Sequence, residues 1–102
     1  LNILPEGYIY PKEQRTARDL MRKRMQLVHQ STLNIQSIQG LYARHLNKKI
    51  WSTKIKQLTV EQVQIDFLAP HVALAVSTNL NVMNCLQEQI NILEKVLKNS
   101  GH

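Results

Sequence analysis

Between Asp19 and Glu61 the chain has no acidic residue, yet Arg22, Lys23, Arg24, Arg44, Lys48, Lys49, Lys54 and Lys56 lie there. The acids are too few to neutralise them. Residues 1 to 60 carry a net +8 and residues 61 to 102 a net −2, for a formal total of +6. A field this one-sided favours a polyanion as partner, against the plainer role of a solvated basic face. Cysteine is almost missing too. Cys85 stands alone, so no internal disulfide can form, which suits a reducing cytoplasm. Aromatic residues make up only 5% of the chain, which argues against a thick sandwich core and for Leu/Ile/Val/Met stripes between helices. No apolar run approaches the ~20 residues of a membrane span, and the N-terminal residues lack the pattern of a secretory signal, so no membrane partner is expected. With three Pro and three Gly and no linker rich in them, residues 1 to 102 form one domain. The chain opens on Leu1, not Met, as expected of a piece of a longer protein.

Chemistry finds little support. The seven carboxylates are scattered, with no paired spacing able to hold two Mg²⁺ ions. His29, His45, His71 and His102 lack metal-ligand spacing, so no metal site and no cofactor are expected. Cys85 has no positioned histidine near in sequence and reads as a structural thiol. No small-molecule substrate is implied, and the segment is not expected to be an enzyme.

What is present is helical periodicity. Pro5 and Gly7 interrupt the opening, and Pro11 or Lys12 makes a good first helical residue. A long helix over about 11–46 follows, with Ala17, Leu20, Met21, Val28, Ile35, Ile38 and Tyr42 on one stripe and Arg15, Arg18, Arg22, Gln26 and His29 opposite. Gly40 interrupts it at a cost of about 1 kcal/mol relative to Ala. The connector, about 47–69, is polar and irregular to Leu58. Thr59 to Gln62 then reads as a capping box opening a short helix to about Asp66 or Phe67. A second long helix spans about 70–98, carrying Val72, Val76, Leu80, Met83, Leu86, Ile90, Leu93 and Leu97, and Asn99-Ser100-Gly101 ends it. The fold class is all-α: a long antiparallel helical hairpin with a short connector helix. Such a hairpin has a seam rather than a core. Leu20, Val28, Ile35, Ile38, Leu80, Met83, Ile90 and Leu93 are therefore the dimer and core set, with a homodimeric four-helix or coiled-coil arrangement as the simplest solution.

Three basic groups differ in role. Arg15, Arg18 and Arg22, with Lys23 beside them, project along one ridge suited to phosphate oxygens, unless Asp19, Glu88 or Glu94 pairs with them. Arg24 falls in the apolar stripe, so pairing with Glu88 or Glu94, within the chain or across a dimer, is its expected structural role. Lys48, Lys49, Lys54 and Lys56, with Arg44, surround Trp51. The indole either stacks a base or, with Ile50 and Ile55, plugs the end of the hairpin. Lone tryptophans usually anchor packing, which favours the plug.

The stretch Gly7-Tyr8-Ile9-Tyr10-Pro11, with Arg15, Arg18-Asp19-Leu20, Arg22-Lys23-Arg24, Gln26-Leu27-Val28, Thr32 and Ile38-Gln39, resembles bacterial insertion-sequence transposases of the DEDD type. These have a RuvC-like catalytic domain and include the RNA-guided recombinases. Ile55-Lys56-Gln57-Leu58-Thr59 and Glu61-Gln62-Val63 fit the same family's linker region, while His29, Ser31 and Gly40 depart from its pattern. The resemblance implies the family's central coiled-coil part, which brings protomers together and helps hold DNA or guide RNA in the cytoplasm. The acidic Mg²⁺ ligands and the catalytic serine of such proteins would lie outside this segment. A freestanding helical protein–protein adaptor with a basic face is the alternative.

Overall fold

The computed structural model describes residues 11–99, with side-chain placements from Arg15 onward. Gly7-Tyr8-Ile9-Tyr10, the break at Pro5 and Gly7, and Ser100-Gly101 lie outside the described residues. Four helices follow one another: α1 Pro11–Leu46, α2 Ser52–Ile55, α3 Val60–Asp66 and α4 Pro70–Asn99. No strand occurs among the described residues. Two prolines, each at a first helical position where an N–H would find no partner, open the long helices. α1 ends at Asn47, whose φ of 49° is the left-handed conformation that asparagine tolerates better than most residues. Its N–H donates to the Ala43 carbonyl at 3.1 Å, and the Lys48 N–H reaches the Tyr42 carbonyl at 3.3 Å.

α1 and α4 lie antiparallel. Arg24 meets Glu94, and thirteen residues further along α1 Ser37 meets Asn79, fifteen residues back along α4. The result is a rod of 55 × 19 × 19 Å with a radius of gyration of 17.8 Å, against about 13 Å for a compact domain of 100 residues. The face of α1 turned to α4 is read off its half-buried residues: Ala17, Leu20, Arg24, Leu27, Ser31, Asn34 and then buried Ile38. These are spaced three and four apart, averaging 3.5, as for two helices that stay in contact over many turns. A straight stripe at 100° per residue drifts off this seam. Met21, at 55% exposure, and Val28, at 38%, share a seven-residue repeat with half-buried Ile35 and buried Tyr42, but fall outside the core because the connector covers this flank only at the closed end.

The packing also corrects the picture of a seam without a core. At the closed end the connector folds back and buries Ile50, Ile55 and Leu58 with Val63 and Phe67, against Ile38 and Tyr42 of α1 and Ala73, Val76, Leu80 and Met83 of α4. The stretch 47–58 is not wholly irregular, because α2 makes one helical turn within it. Thr59 caps α3, accepting from the Gln62 N–H at 3.2 Å, but the Gln62 side chain does not reach back. It donates instead to Asp66 Oδ1 at 2.9 Å. That half of the expected capping box is replaced by an anchor for Asp66.

Of the dimer and core set, Ile38, Leu80, Met83 and Ile90 are buried inside the single chain and unavailable to a second one. Leu20, Ile35 and Leu93 are half-buried beside them. In the open half, α1 from Arg15 to Leu33 buries no residue fully. Ile55→Ala should therefore destabilise the fold by about 2–5 kcal/mol, whereas Met25→Ala should change it by no more than about 0.5 kcal/mol. Urea unfolding followed by circular dichroism checks both. Equal losses would mean that burial is spread along the whole rod.

Candidate nucleic-acid interface

The outer face of α1 is basic because its sequence puts Arg15, Arg18 and Arg22 opposite the seam with Asp19 alone among them. Arg15, Arg18 and Arg22 are exposed, and none forms an ion pair with a described residue. Lys23 donates to Gln26 Oε1 at 2.9 Å, a contact along the same helix. The expected competition from Asp19 and Glu88 is not seen. Glu94 pairs with Arg24 instead.

That pair is intrachain and less buried than the stripe position suggests. Arg24 Nε and Nη2 both converge on Glu94 Oε2, at 2.8 and 2.7 Å, with the side chains 39% and 46% exposed. A pair this wet is worth about 0–1 kcal/mol, so its main effect is to favour one register of α1 on α4.

The second basic group is at the closed end. Lys48, Lys49, Lys54 and Lys56 are exposed on and around α2. Arg18 and Arg44 are twenty-six residues apart on one helix, about 39 Å at 1.5 Å per residue, so the eight cations form two clusters rather than one site.

Trp51 corrects the expected plug. It is 63% exposed, while Ile50 at 6% and Ile55 at 0% do the packing. Alternation across the turn explains this, since Trp51 lies between Ile50 and α2, whose only inward residue is Ile55. Lys49 Nζ lies 4.4 Å from the indole centroid, a cation–π contact. Gln39 Nε2 donates to the Ile50 carbonyl at 3.0 Å and ties this stretch to α1. Gln39, Gly40, Ala43, Asn47, Lys48, Lys49, Ile50 and Trp51 enclose a cleft of about 550 Å³ with no carboxylate in its lining.

Tyr42 supports the cleft from behind. Its ring meets Phe67 edge-on, centroids 4.6 Å apart at 74°, and its hydroxyl donates to Asp66 Oδ2 at 2.7 Å. Burial first, then the hydrogen bond and charge of Asp66, push the phenol well above its ordinary range, so it stays protonated. Neither this contact nor the cleft was foreseen from sequence. The left-handed cap at Asn47 was the available signal that the chain turns back there.

Among the described residues, no group of three or more His, Cys, Asp or Glu could hold a metal ion. No helix is long and apolar enough to cross a membrane. Cys85 is exposed on α4 rather than packed. No family model, curated protein or solved structure matches the chain.

A double-mutant cycle of Arg24→Ala and Glu94→Ala should give a coupling of about 0–1 kcal/mol. A coupling several-fold larger would mean that the pair is desolvated, in solution, by something beyond this chain.

Proposed function

We propose that this chain is a non-catalytic helical module that pairs with a second copy and contacts nucleic acid through the outer face of α1. In this proposal it is the central coiled-coil segment of a DEDD-type transposase or recombinase, the family its sequence resembles. The observation that carries the reading is the ridge of Arg15, Arg18 and Arg22, exposed and without a carboxylate partner. Planar guanidinium forks suit phosphate oxygens and give affinity without base reading. The separation of about 39 Å between Arg18 and Arg44 is close to one turn of duplex DNA, about 34–36 Å. A rod lying along a duplex would thus meet phosphates on successive turns.

Self-association draws on the outer face of α4, not on the inner stripes. Thr78, Val82, Cys85, Gln89, Ile92 and Val96 are exposed, spaced four and three apart, and uncharged. Glu88 and Lys95 flank this line seven residues apart with opposite signs. Two copies laid antiparallel about Gln87 would set Thr78, Val82 and Cys85 of one copy against Val96, Ile92 and Gln89 of the other, with these charges at the rim. The chain exposes 7626 Å², about 1,700 Å² more than the roughly 5,900 Å² of a compact monomer of this mass. A standard protein–protein interface covers about 800 Å² of each partner, about half of that excess.

The freestanding adaptor remains the second reading, because Ile65, Leu68 and Leu74 are exposed by 69%, 92% and 67% around a groove between α3 and α4.

Duplex DNA should bind at low salt and weaken steeply between about 50 and 200 mM. Arg18→Ala with Arg22→Ala should lower affinity alike for unrelated sequences and reduce the salt slope by about 2. Absence of binding at low salt, or a loss confined to one sequence, sinks the phosphate model. For assembly, the protein should sediment as a dimer, and Val82→Glu should sediment as a monomer of unchanged helicity. A wild-type monomer at high micromolar concentration rejects the α4 contact.

A further inference from the structure

We infer that the cleft beside Trp51 holds one unpaired nucleotide of a single strand, DNA or RNA, with its base on the indole and its phosphates on Lys48 and Lys49. This rests on the nucleic-acid reading above and narrows it. An exposed tryptophan is expensive to keep in water, and here it packs nothing that Ile50 and Ile55 do not already pack. The backbone that carries it is nevertheless held in place. The Trp51 carbonyl accepts the Ile55 N–H at 3.0 Å as α2 begins, and Gln39 fixes the preceding carbonyl. Lys49 covers one side of the indole at 4.4 Å, which leaves the other to a flat group.

The lining selects the ligand. About 550 Å³ is room for a nucleotide. Gly40 has no side chain of its own, and the Arg44 guanidinium folds back over it, with Nη1 3.2 Å from where a Cβ would stand; Ala43 adds only a methyl, and Asn47 offers amide groups to base edges. Lys48 and Lys49 suit phosphate, and no carboxylate opposes it. A base pair inside a duplex has both faces covered by its stacked neighbours, so away from duplex ends only an unpaired base can lie on Trp51. Stacking of this kind is tolerant of sequence because every base has a π-face.

The placement along α1 agrees. At about 100° per residue, Arg18, Arg22, His29, Gly40 and Ala43 fall within roughly 60° of one another on the side away from α4. A strand held at Trp51 can therefore run along this face as far as Arg22 without passing an acidic residue, since none lies between Asp19 and Glu61.

Trp51 is the chain's only tryptophan, so its fluorescence reports this cleft alone. The experiment titrates the whole chain with dT and rU oligonucleotides, a blunt duplex and a nucleoside monophosphate, following indole emission and the anisotropy of labelled nucleic acid. The single strands, DNA or RNA, should quench Trp51; the duplex should raise anisotropy without quenching; the monophosphate should bind far more weakly than the strands. Trp51→Ala should weaken single-strand binding about 10- to 100-fold and leave duplex binding unchanged, with Trp51→Phe recovering part of the loss. Circular dichroism confirms that each variant keeps its helices. Strand binding without quenching, equal losses for strand and duplex in Trp51→Ala, or a monophosphate as tight as a strand each overturns the stacking site while leaving the phosphate ridge intact. If neither strand nor duplex binds at low salt, both proposals fall together.

Discussion

Tyr42 couples the burial of the longest helix to the placement of the connector. Its fully buried ring meets Phe67, and its hydroxyl ends on Asp66, which Gln62 holds from the other side. Through these contacts α3 is locked against α1, and the chain between them has only a short path. That path must bury Ile50, Ile55 and Leu58, and doing so leaves Trp51, the residue between two buried isoleucines, on the outside. The exposed indole follows from how the closed end is packed. A looser connector would let the tryptophan fold in, and the cleft beside Gly40 would close.

The same packing sets a gradient along the rod. Eleven buried apolar residues gather in the cluster at the closed end, and Ile90 is the only other one among the described residues. Beyond Ile38, towards its start, α1 meets α4 through Ala17, Leu20 and Leu27 with Arg24, Ser31 and Asn34 set among them, all half-buried. Small and polar groups in a seam contribute little transfer free energy, so this part of the hairpin opens more easily than the rest. The Arg24–Glu94 pair does not make up the deficit, since both side chains are wet. It selects a register that weak apolar contacts would leave loosely determined.

Sequence periodicity was enough for the architecture and the bounds of both long helices, because prolines and a run of thirty or more periodic residues leave few alternatives. It misplaced Met21 and Val28 for a tertiary reason: they share a seven-residue repeat with Ile35 and Tyr42, but the connector that covers this flank of α1 reaches only its closed end. The Arg24 partner was legible as one of two glutamates, since an antiparallel return brings the end of α4 beside the start of α1. The connector was not. Its buried residues are Ile50, Ile55 and Leu58, spaced by five and three, which matches neither a helix nor a strand, and only the fold shows which hydrophobic group faces in. Trp51 illustrates the limit, because a tendency of tryptophans in general says nothing about one flanked by two isoleucines that fill the space first.

The two basic clusters therefore sit on parts of the chain with different firmness. Lys48, Lys49 and Trp51 are carried by the well-packed end, where a ligand meets a surface already arranged and pays little to order it. Arg15, Arg18 and Arg22 are carried by the end with the thinnest seam. Three like charges within two turns repel one another, and Asp19, the one carboxylate set among them, offsets them only in part. A polyanion there relieves that repulsion only when α1 is helical, so binding and helix formation reinforce each other by mass action. Contact with one end of a nucleic acid would in this way firm up the hairpin near Arg24 and Glu94, and with it the C-terminal half of the α4 face on which a second copy is proposed to dock.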